Sequence, residues 1–263
     1  MSARFNPDVL PHQLVRGDNS REIEDTAGMP SVGEPRPDSS VADAPDSELA
    51  LSTRARALSG QTLGQLAATL GATVPPDLTH AKGWVGGLME RALGAQAGSR
   101  AVPDFEALGI ELKTLPVSRA GKPLESTFVC TIELTEIGDI EWQASRVYRK
   151  LARVLWIPID GERTIPIAER RIGSGFLWSP SQQEQELLRF DWEELVGMIG
   201  RGDLDRITGH FGRALQVRPK AADSRSRRLG FDTEGVPIAA LPRGFYLRAT
   251  FTEGILRRHL HLP

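Results

Sequence analysis

Apolar positions become regular along this chain only after about residue 47, and they then follow two periods. Residues 47–58 read as a first helix. Thr62 and Gln65 stand in the capping-box relation ahead of Leu66, Ala67 and Leu70, which predicts a second. A third is predicted from about Trp84 to Leu93, with Val85, Leu88, Met89 and Ala92 on one side, ended by Gly94 and Gly98. The period then changes to two. Gly109 to Leu115 alternates, with Ile110 and Leu112 facing one way and Glu111 and Lys113 the other. Ser126–Leu134 and Arg153–Ile159 are longer apolar runs of the central-strand kind. Helical spacing returns from Gln182 to Ile199 through Leu187, Leu188, Trp192, Leu195, Val196 and Ile199. The last third mixes short pieces. A helix is expected near 203–211, strands near 214–218 and 243–248, and a final helix opened by a Thr250–Glu253 capping box. No internal repeat is visible.

Composition changes the picture at the N-terminus. Residues 1–47 are rich in Pro, Gly, Ser and Asp and poor in aromatics, so they cannot bury enough apolar surface to offset ordering. They are expected to form a disordered acidic tail, with the folded body at 48–263. Residues 1–50 carry four Arg against ten Asp or Glu, whereas residues 201–263 carry twelve Arg or Lys against six acids. A basic C-terminal third suits a polyanion. The chain of 263 residues is long enough for one large domain or two small ones. No apolar run approaches the roughly 20 residues that span a bilayer, and no signal peptide is visible, so a reducing cytoplasm is expected. The single cysteine, Cys130, excludes an internal disulfide framework and a cysteine-cluster zinc site, and the five histidines form no metal-ligand spacing. Cys130 lies in an apolar run and reads as a buried small hydrophobe.

The basic residues divide into 27 Arg and only five Lys: Lys82, Lys113, Lys122, Lys150 and Lys220. A chain biased toward Arg should keep Lys mainly where a compact ammonium does what a planar guanidinium cannot.

One constellation carries candidate chemistry. Pro103-Asp104 is followed by Glu111-Leu112-Lys113. Asp104 falls on a turn entering the strand, and Glu111 and Lys113, two apart, share a face of it. Two carboxylates and an ammonium converging on one point suit metal-assisted phosphodiester hydrolysis. Hard oxygens hold Mg²⁺, and the metal acidifies a bound water. The ammonium orients that water or offsets developing charge. Glu90, on the helix before the motif, reads either as a further carboxylate for the site or as an exposed helix charge. The competing reading is a solvated strand face with an incidental ion pair.

The run Lys82-Gly83-Trp84-Val85-Gly86-Gly87-Leu88-Met89-Glu90 precedes Asp104-Phe105, Leu108 to Thr114 and Thr127 to Cys130. Arg153 to Pro158, Asp191 to Leu195, Gln216 to Ala222 and Leu241 to Leu247 follow in order. Together these blocks closely resemble the MutH family of DNA mismatch repair endonucleases, in the PD-(D/E)XK nuclease group and similar to restriction enzymes that cut GATC. The resemblance spans about residues 50–260.

It implies a mixed α/β, restriction-endonuclease-like fold with two arms around a DNA cleft, the part up to about residue 150 carrying the active site and the remainder most DNA recognition. Asp104 and Glu111 would be metal ligands, with the Leu112 carbonyl a further one, Lys113 the water-positioning base and Glu90 an additional catalytic acid. Lys82 and Lys150 match lysines near the site, where phosphate or water contacts are expected. Arg218, Lys220 and Tyr246 match positions associated with reading GATC and its methylation. Phosphate contact without reading is the other option for Arg218 and Lys220, and a core role for Tyr246. The expected activity is Mg²⁺-dependent nicking of the unmethylated strand of hemimethylated GATC, with Mn²⁺ able to substitute and 5′-phosphate and 3′-hydroxyl ends. Expected partners are double-stranded DNA, the activator MutL and, indirectly, MutS, with the enzyme monomeric and off the membrane. A stand-alone GATC restriction endonuclease and a non-cleaving module for hemimethylated DNA are the rival readings. Ser224–Pro237 fits the resemblance poorly.

Overall fold

The computed structural model describes residues 42–98, 100–135, 137–220 and 226–260. Six α-helices and eight strands follow in chain order: α1 (Glu48–Leu58), α2 (Leu63–Thr69), α3 (Trp84–Leu93), β1 (Glu111–Val117), β2 (Thr127–Thr131), α4 (Arg146–Leu151), β3 (Val154–Asp160), β4 (Phe176–Trp178), α5 (Gln182–Gly200), β5 (Leu215–Pro219), β6 (Arg228–Phe231), β7 (Pro237–Ala240), β8 (Arg243–Leu247) and α6 (Ala249–Leu260). The architecture is mixed α/β, as the sequence predicts. Among the described residues no helix is long and apolar enough to cross a membrane.

The strands make three sheets. In the first, β3 lies between parallel β1 and antiparallel β4. The continuous apolar run of β3 is explained by burial on both faces. Val154 and Trp156 enter one core with Trp178 and Leu115, while Leu155, Ile157 and Ile159 enter another beneath α1, α2 and α3. In the second sheet β8 is central, flanked antiparallel by β2 and β5. The third is the β6–β7 hairpin.

The capping box at Thr62 forms as predicted, and α3 has the predicted limits, with Gly94 ending it at φ 80°. A Cβ on Gly94 would overlap the carbonyls of Ala42 and Asp43. That contact belongs to a corrected boundary. Ala42 N–H donates to the Arg91 carbonyl and Asp43 O accepts from Arg54, so residues 42–47 lie on the folded body rather than in the predicted tail. The remainder of that tail falls on residues 1–41, outside the described residues.

Three further expectations are corrected. The run Ser126–Leu134 is not a central strand but the edge strand β2, five residues long and irregular between Phe128 and Cys130. It is apolar because helix α4 packs over it. The helix expected at 203–211 is only a 3₁₀ turn at Leu204–Arg206. Neighbouring side chains bind the chain beyond it: Arg248 donates to the carbonyls of Gly209, Phe211 and Gly212. The last helix starts at Ala249, which puts Thr250 inside its first turn, and Glu253 pairs with Arg257 instead of capping.

A single buried carboxylate joins α5 to β5. Asp191 is 0% exposed, and its Oδ2 accepts from the backbone N–H groups of Arg213 at 2.8 Å, Ala214 at 2.6 Å and Leu215 at 2.8 Å. Replacing it by Ala strands three donors in the interior, so Asp191→Ala is expected to cost roughly 3 kcal/mol or more in urea unfolding; a loss below about 1 kcal/mol would mean the loop finds other acceptors.

Cys130 is buried, and burial pushes its thiol up to about 11. A thiol rather than a thiolate at neutral pH is a poor nucleophile. Disulfide-reagent labelling of this one cysteine is therefore expected to track global unfolding, rising with denaturant along the same curve as circular dichroism. Fast labelling in buffer would show that β2 opens locally.

Candidate active site

The first turn of the site is the loop before β1. Asp104 is mostly buried, its backbone carbonyl accepts from Gln96 and Ala97, and its Oδ2 accepts from the Leu112 N–H at 2.8 Å. That bond fixes the carboxylate beside the start of the strand. Glu111 opens β1 and pairs in register with Val154 of β3. It is only 2% exposed, and two ammonium groups hold it. Lys113 Nζ lies 2.5 Å from Oε1, as the shared strand face predicts. Lys150 Nζ, from the last turn of α4, lies 3.0 Å from Oε1 and 2.8 Å from Oε2, and also donates to the Val102 carbonyl at 3.3 Å. The face carrying Glu111 and Lys113 is therefore a closed cluster, not a solvated surface. Lys150, expected at a phosphate or water, instead clamps the carboxylate.

Glu90 projects from α3 toward the same point. Burial first, then the negative charges of Asp104 and Glu111, push its carboxyl above the usual range. Burial and the charge of Glu111 do the same to Asp104, opposed by the Leu112 N–H and the two lysines. Three carboxylates thus repel one another around two ammonium groups.

The donor set is hard oxygen, the type that holds a small divalent cation, and its mutual repulsion is what such a cation relieves. Among the described residues no three His, Cys, Asp or Glu lie close enough to enclose a metal by themselves. A cation here would take two carboxylates, with backbone carbonyl, water or substrate oxygens completing its shell. That combination fits Mg²⁺, which rarely uses an all-protein cage.

Opposite this cluster stands the second sheet. A cleft of about 580 Å³ is lined on one side by Gly83, Gly86, Glu90, Leu112, Lys113, Thr114 and Pro116, and on the other by Glu125 to Phe128, Arg218, Pro219 and Tyr246. Tyr246 lies in register with Phe128 on β2 and Gln216 on β5. The Phe128 and Tyr246 rings meet edge-on at 5.3 Å, and Tyr246 is only partly buried and lines the cleft. Arg218 lies 5.8 Å from the Tyr246 ring and donates to Ser126 Oγ at 2.7 Å. Lys220 places its Nζ 3.0 Å from the centre of the Phe128 ring. Burial, then the charge of Lys113, lowers the Lys220 ammonium pKa, so the two walls of the cleft are electrostatically coupled.

The structure brings Asp104, Glu111, Lys113, Glu90 and Lys150 together, with Leu112 lining the cleft beside them. It brings Arg218, Lys220 and Tyr246 together on the facing wall. Lys82 stands exposed in the turn before α3, next to the cleft-lining Gly83. Phe128 and Ser126 were not legible as site residues. Phe128 sits inside an apolar run that reads as core, and the irregularity that follows it on β2 leaves no sequence signal.

The family profile described as DNA mismatch repair enzyme MutH matches residues 93–191, a span that contains Asp104, Glu111, Lys113 and Lys150. DNA mismatch repair proteins MutH from Salmonella paratyphi C (strain RKS4594), Salmonella choleraesuis (strain SC-B67) and Salmonella newport (strain SL254) are each 54% identical over 218 residues, covering 83% of this chain and 94% of theirs. With 54% identity over 83% of its length to these relatives, the chain belongs to the MutH family of DNA mismatch repair enzymes.

Proposed function

We propose that this enzyme is a Mg²⁺-dependent endonuclease that nicks the unmethylated strand of hemimethylated GATC, leaving a 5′-phosphate and a 3′-hydroxyl. The observation that supports it most is that a carboxylate–lysine cluster and a cationic, aromatic wall face each other across one cleft. Asp104, Glu111 and the Leu112 carbonyl would hold the cation. When bound, Mg²⁺ would polarise the scissile phosphate and acidify a water; Mn²⁺ would serve similarly.

The remaining work falls to the chain's own groups. Lys113 presents an ammonium at the cleft wall, where it orients the attacking water and offsets charge gathering on the phosphate oxygens. Lys150 keeps the Glu111 carboxylate fixed. Glu90, with its raised carboxyl, is suited to hold or pass a proton at the edge of the site. On the facing wall Arg218 and Lys220 supply donors, and Tyr246 a half-buried hydroxyl-bearing ring. Adenine N6 carries its methyl group into the major groove, where a wall packed on the unmodified base would reject it. The reading includes activation by MutL downstream of MutS, and a monomeric cytoplasmic enzyme acting on duplex DNA.

A nicking assay on plasmids of defined methylation, with and without MutL, tests this directly. Strong double-strand cutting without MutL would instead make it a restriction enzyme. Glu111→Gln and Asp104→Asn are each expected to lower nicking at least about 100-fold while leaving DNA affinity within a few-fold, because they remove transition-state stabilisation and no groove contact. Near-normal cleavage by Glu111→Gln in Mg²⁺ would place the active site elsewhere.

The facing wall carries a separate expectation. Lys220→Ala and Tyr246→Phe should change the preference between unmethylated and fully methylated GATC by about 1–3 kcal/mol, more than they change affinity for unrelated DNA. Equal losses on all substrates, with a salt slope reduced by about one for Lys220→Ala, would make Lys220 a phosphate contact.

A further inference from the structure

Strand β8 is the middle strand of its sheet, and it carries a glycine, Gly244, within the run Arg243-Gly244-Phe245-Tyr246-Leu247. Glycine weakens a strand interior, since it costs backbone entropy and packs nothing. Backbone conformation does not call for it, as Gly244 is not among the glycines with positive φ. The remaining reason for a glycine in such a place is close approach by a neighbour.

The neighbour is Phe128. A Cβ on Gly244 would stand 2.9 Å from the Phe128 ring carbon Cε2, 3.1 Å from the Cys130 carbonyl oxygen and 3.4 Å from Tyr246 Cε2. The first separation is closer than real Cβ contacts, so the ring would have to tilt or move off. The same ring carries the Lys220 ammonium 3.0 Å from its centre and meets Tyr246 edge-on. Any displacement of the ring therefore moves the seat of Lys220 and the packing of Tyr246 together.

We infer that Gly244 is a specificity-determining positioning residue: its missing side chain lets the Phe128 ring lie close against β8, and Phe128 in turn sets the places of Lys220 and Tyr246 on the cleft wall. The inference rests on reading that wall as the one that discriminates GATC. Its content is that discrimination depends on one methyl-sized space beneath an aromatic ring, transmitted to a lysine just beyond the end of β5.

Two measurements test it. The first needs no DNA. The chain has only five lysines, so reductive ¹³C-methylation gives few resonances. A dimethyl-lysine over a ring face is shifted upfield, and Lys220→Arg identifies its signal. Gly244→Ala and Phe128→Leu should each move that signal toward the position of an ordinary lysine. An unmoved signal in Gly244→Ala overturns the inference, whether or not the enzyme prefers GATC. The second measures binding in Ca²⁺ to GATC duplexes and to duplexes lacking the site. Gly244→Ala is expected to lower the affinity ratio about tenfold, within the worth of one base-edge contact, while affinity for unrelated DNA stays within about twofold.

The same substitution made in Phe128→Leu should then add less than about twofold, because the ring it displaces is already gone. An equal further loss in that background overturns the inference, since Gly244 would be acting without Phe128. Equal weakening on both duplexes overturns it as well, as a general defect of β8. If the wild-type enzyme shows no GATC preference while the lysine signal shifts as expected, the reading of the wall fails and the positioning relation stands.

Discussion

A carboxylate that is 2% exposed governs this structure. Burying Glu111 ionised and alone would be prohibitive, and pairing with good geometry is the usual remedy. Lys113 comes from the same strand, two residues on. Lys150 comes from a helix 39 residues away in sequence, and it reaches both carboxylate oxygens. The clamp is therefore also a tertiary restraint: α4 must sit where its last turn meets the first residue of β1. Parallel pairing of β1 with β3 satisfies this, because α4 leads directly into β3 and the Glu111 N–H donates to the Arg153 carbonyl at 2.9 Å.

The excursion between β1 and α4 couples the two halves of the site. Parallel strands cannot be joined by a tight turn, so β1 must leave its sheet before the chain returns as β3. On that path the chain lays down β2, which joins the other sheet beside β8. The crossover that starts at Glu111 and Lys113 thus contributes one strand of the facing wall, and the sheets do not divide the chain at a single point. Residues 127–131 belong to the wall, while residues 154–178 return to the sheet that carries Glu111. The resulting cleft sets acids, which a phosphate backbone would repel, within a frame of ammonium groups. Burial, and after it the charge of Lys113 across the gap, lowers the Lys220 ammonium pKa.

What could be read from the sequence follows from how local each determinant is. The α2 capping box and the limits of α3 are set by residues within four of one another, and they form as the pattern predicts. Glu111 and Lys113 share a face because strand geometry requires it. The failures are non-local. The stretch 203–211 has helical spacing, but Asp191 from α5 and Arg248 at the start of α6 take the backbone groups around it. The run containing Phe128 reads as core because an edge strand under α4 and a central strand have the same apolar content. The α4 helix went unread although Ser145 caps it through the Tyr148 N–H, since six residues are too few for a period to emerge. The hairpin β6–β7 has one buried strand residue, Gly230, and thus almost no alternation to detect.

The rarity of lysine in this arginine-rich chain acquires a physical meaning in the cleft. At Lys150 a single nitrogen donates to both oxygens of Glu111 and to the Val102 carbonyl, three acceptors disposed around a point. A guanidinium spreads its donors in a plane and is matched to a carboxylate approached edge to edge, not to acceptors surrounding one atom. At Lys220 the ammonium centre stands 3.0 Å from the Phe128 ring centre, closer than a stacked guanidinium plane lies to an aromatic face. Arg218, by contrast, occupies a position where a planar group suffices, at 5.8 Å from the Tyr246 ring with one arm on Ser126. The choice between the two cations follows the space available to the charge. At Lys150 and Lys220 acceptors or a ring converge on one point and the chain keeps a lysine there, whereas Lys82 and Lys122 are exposed and follow no such rule.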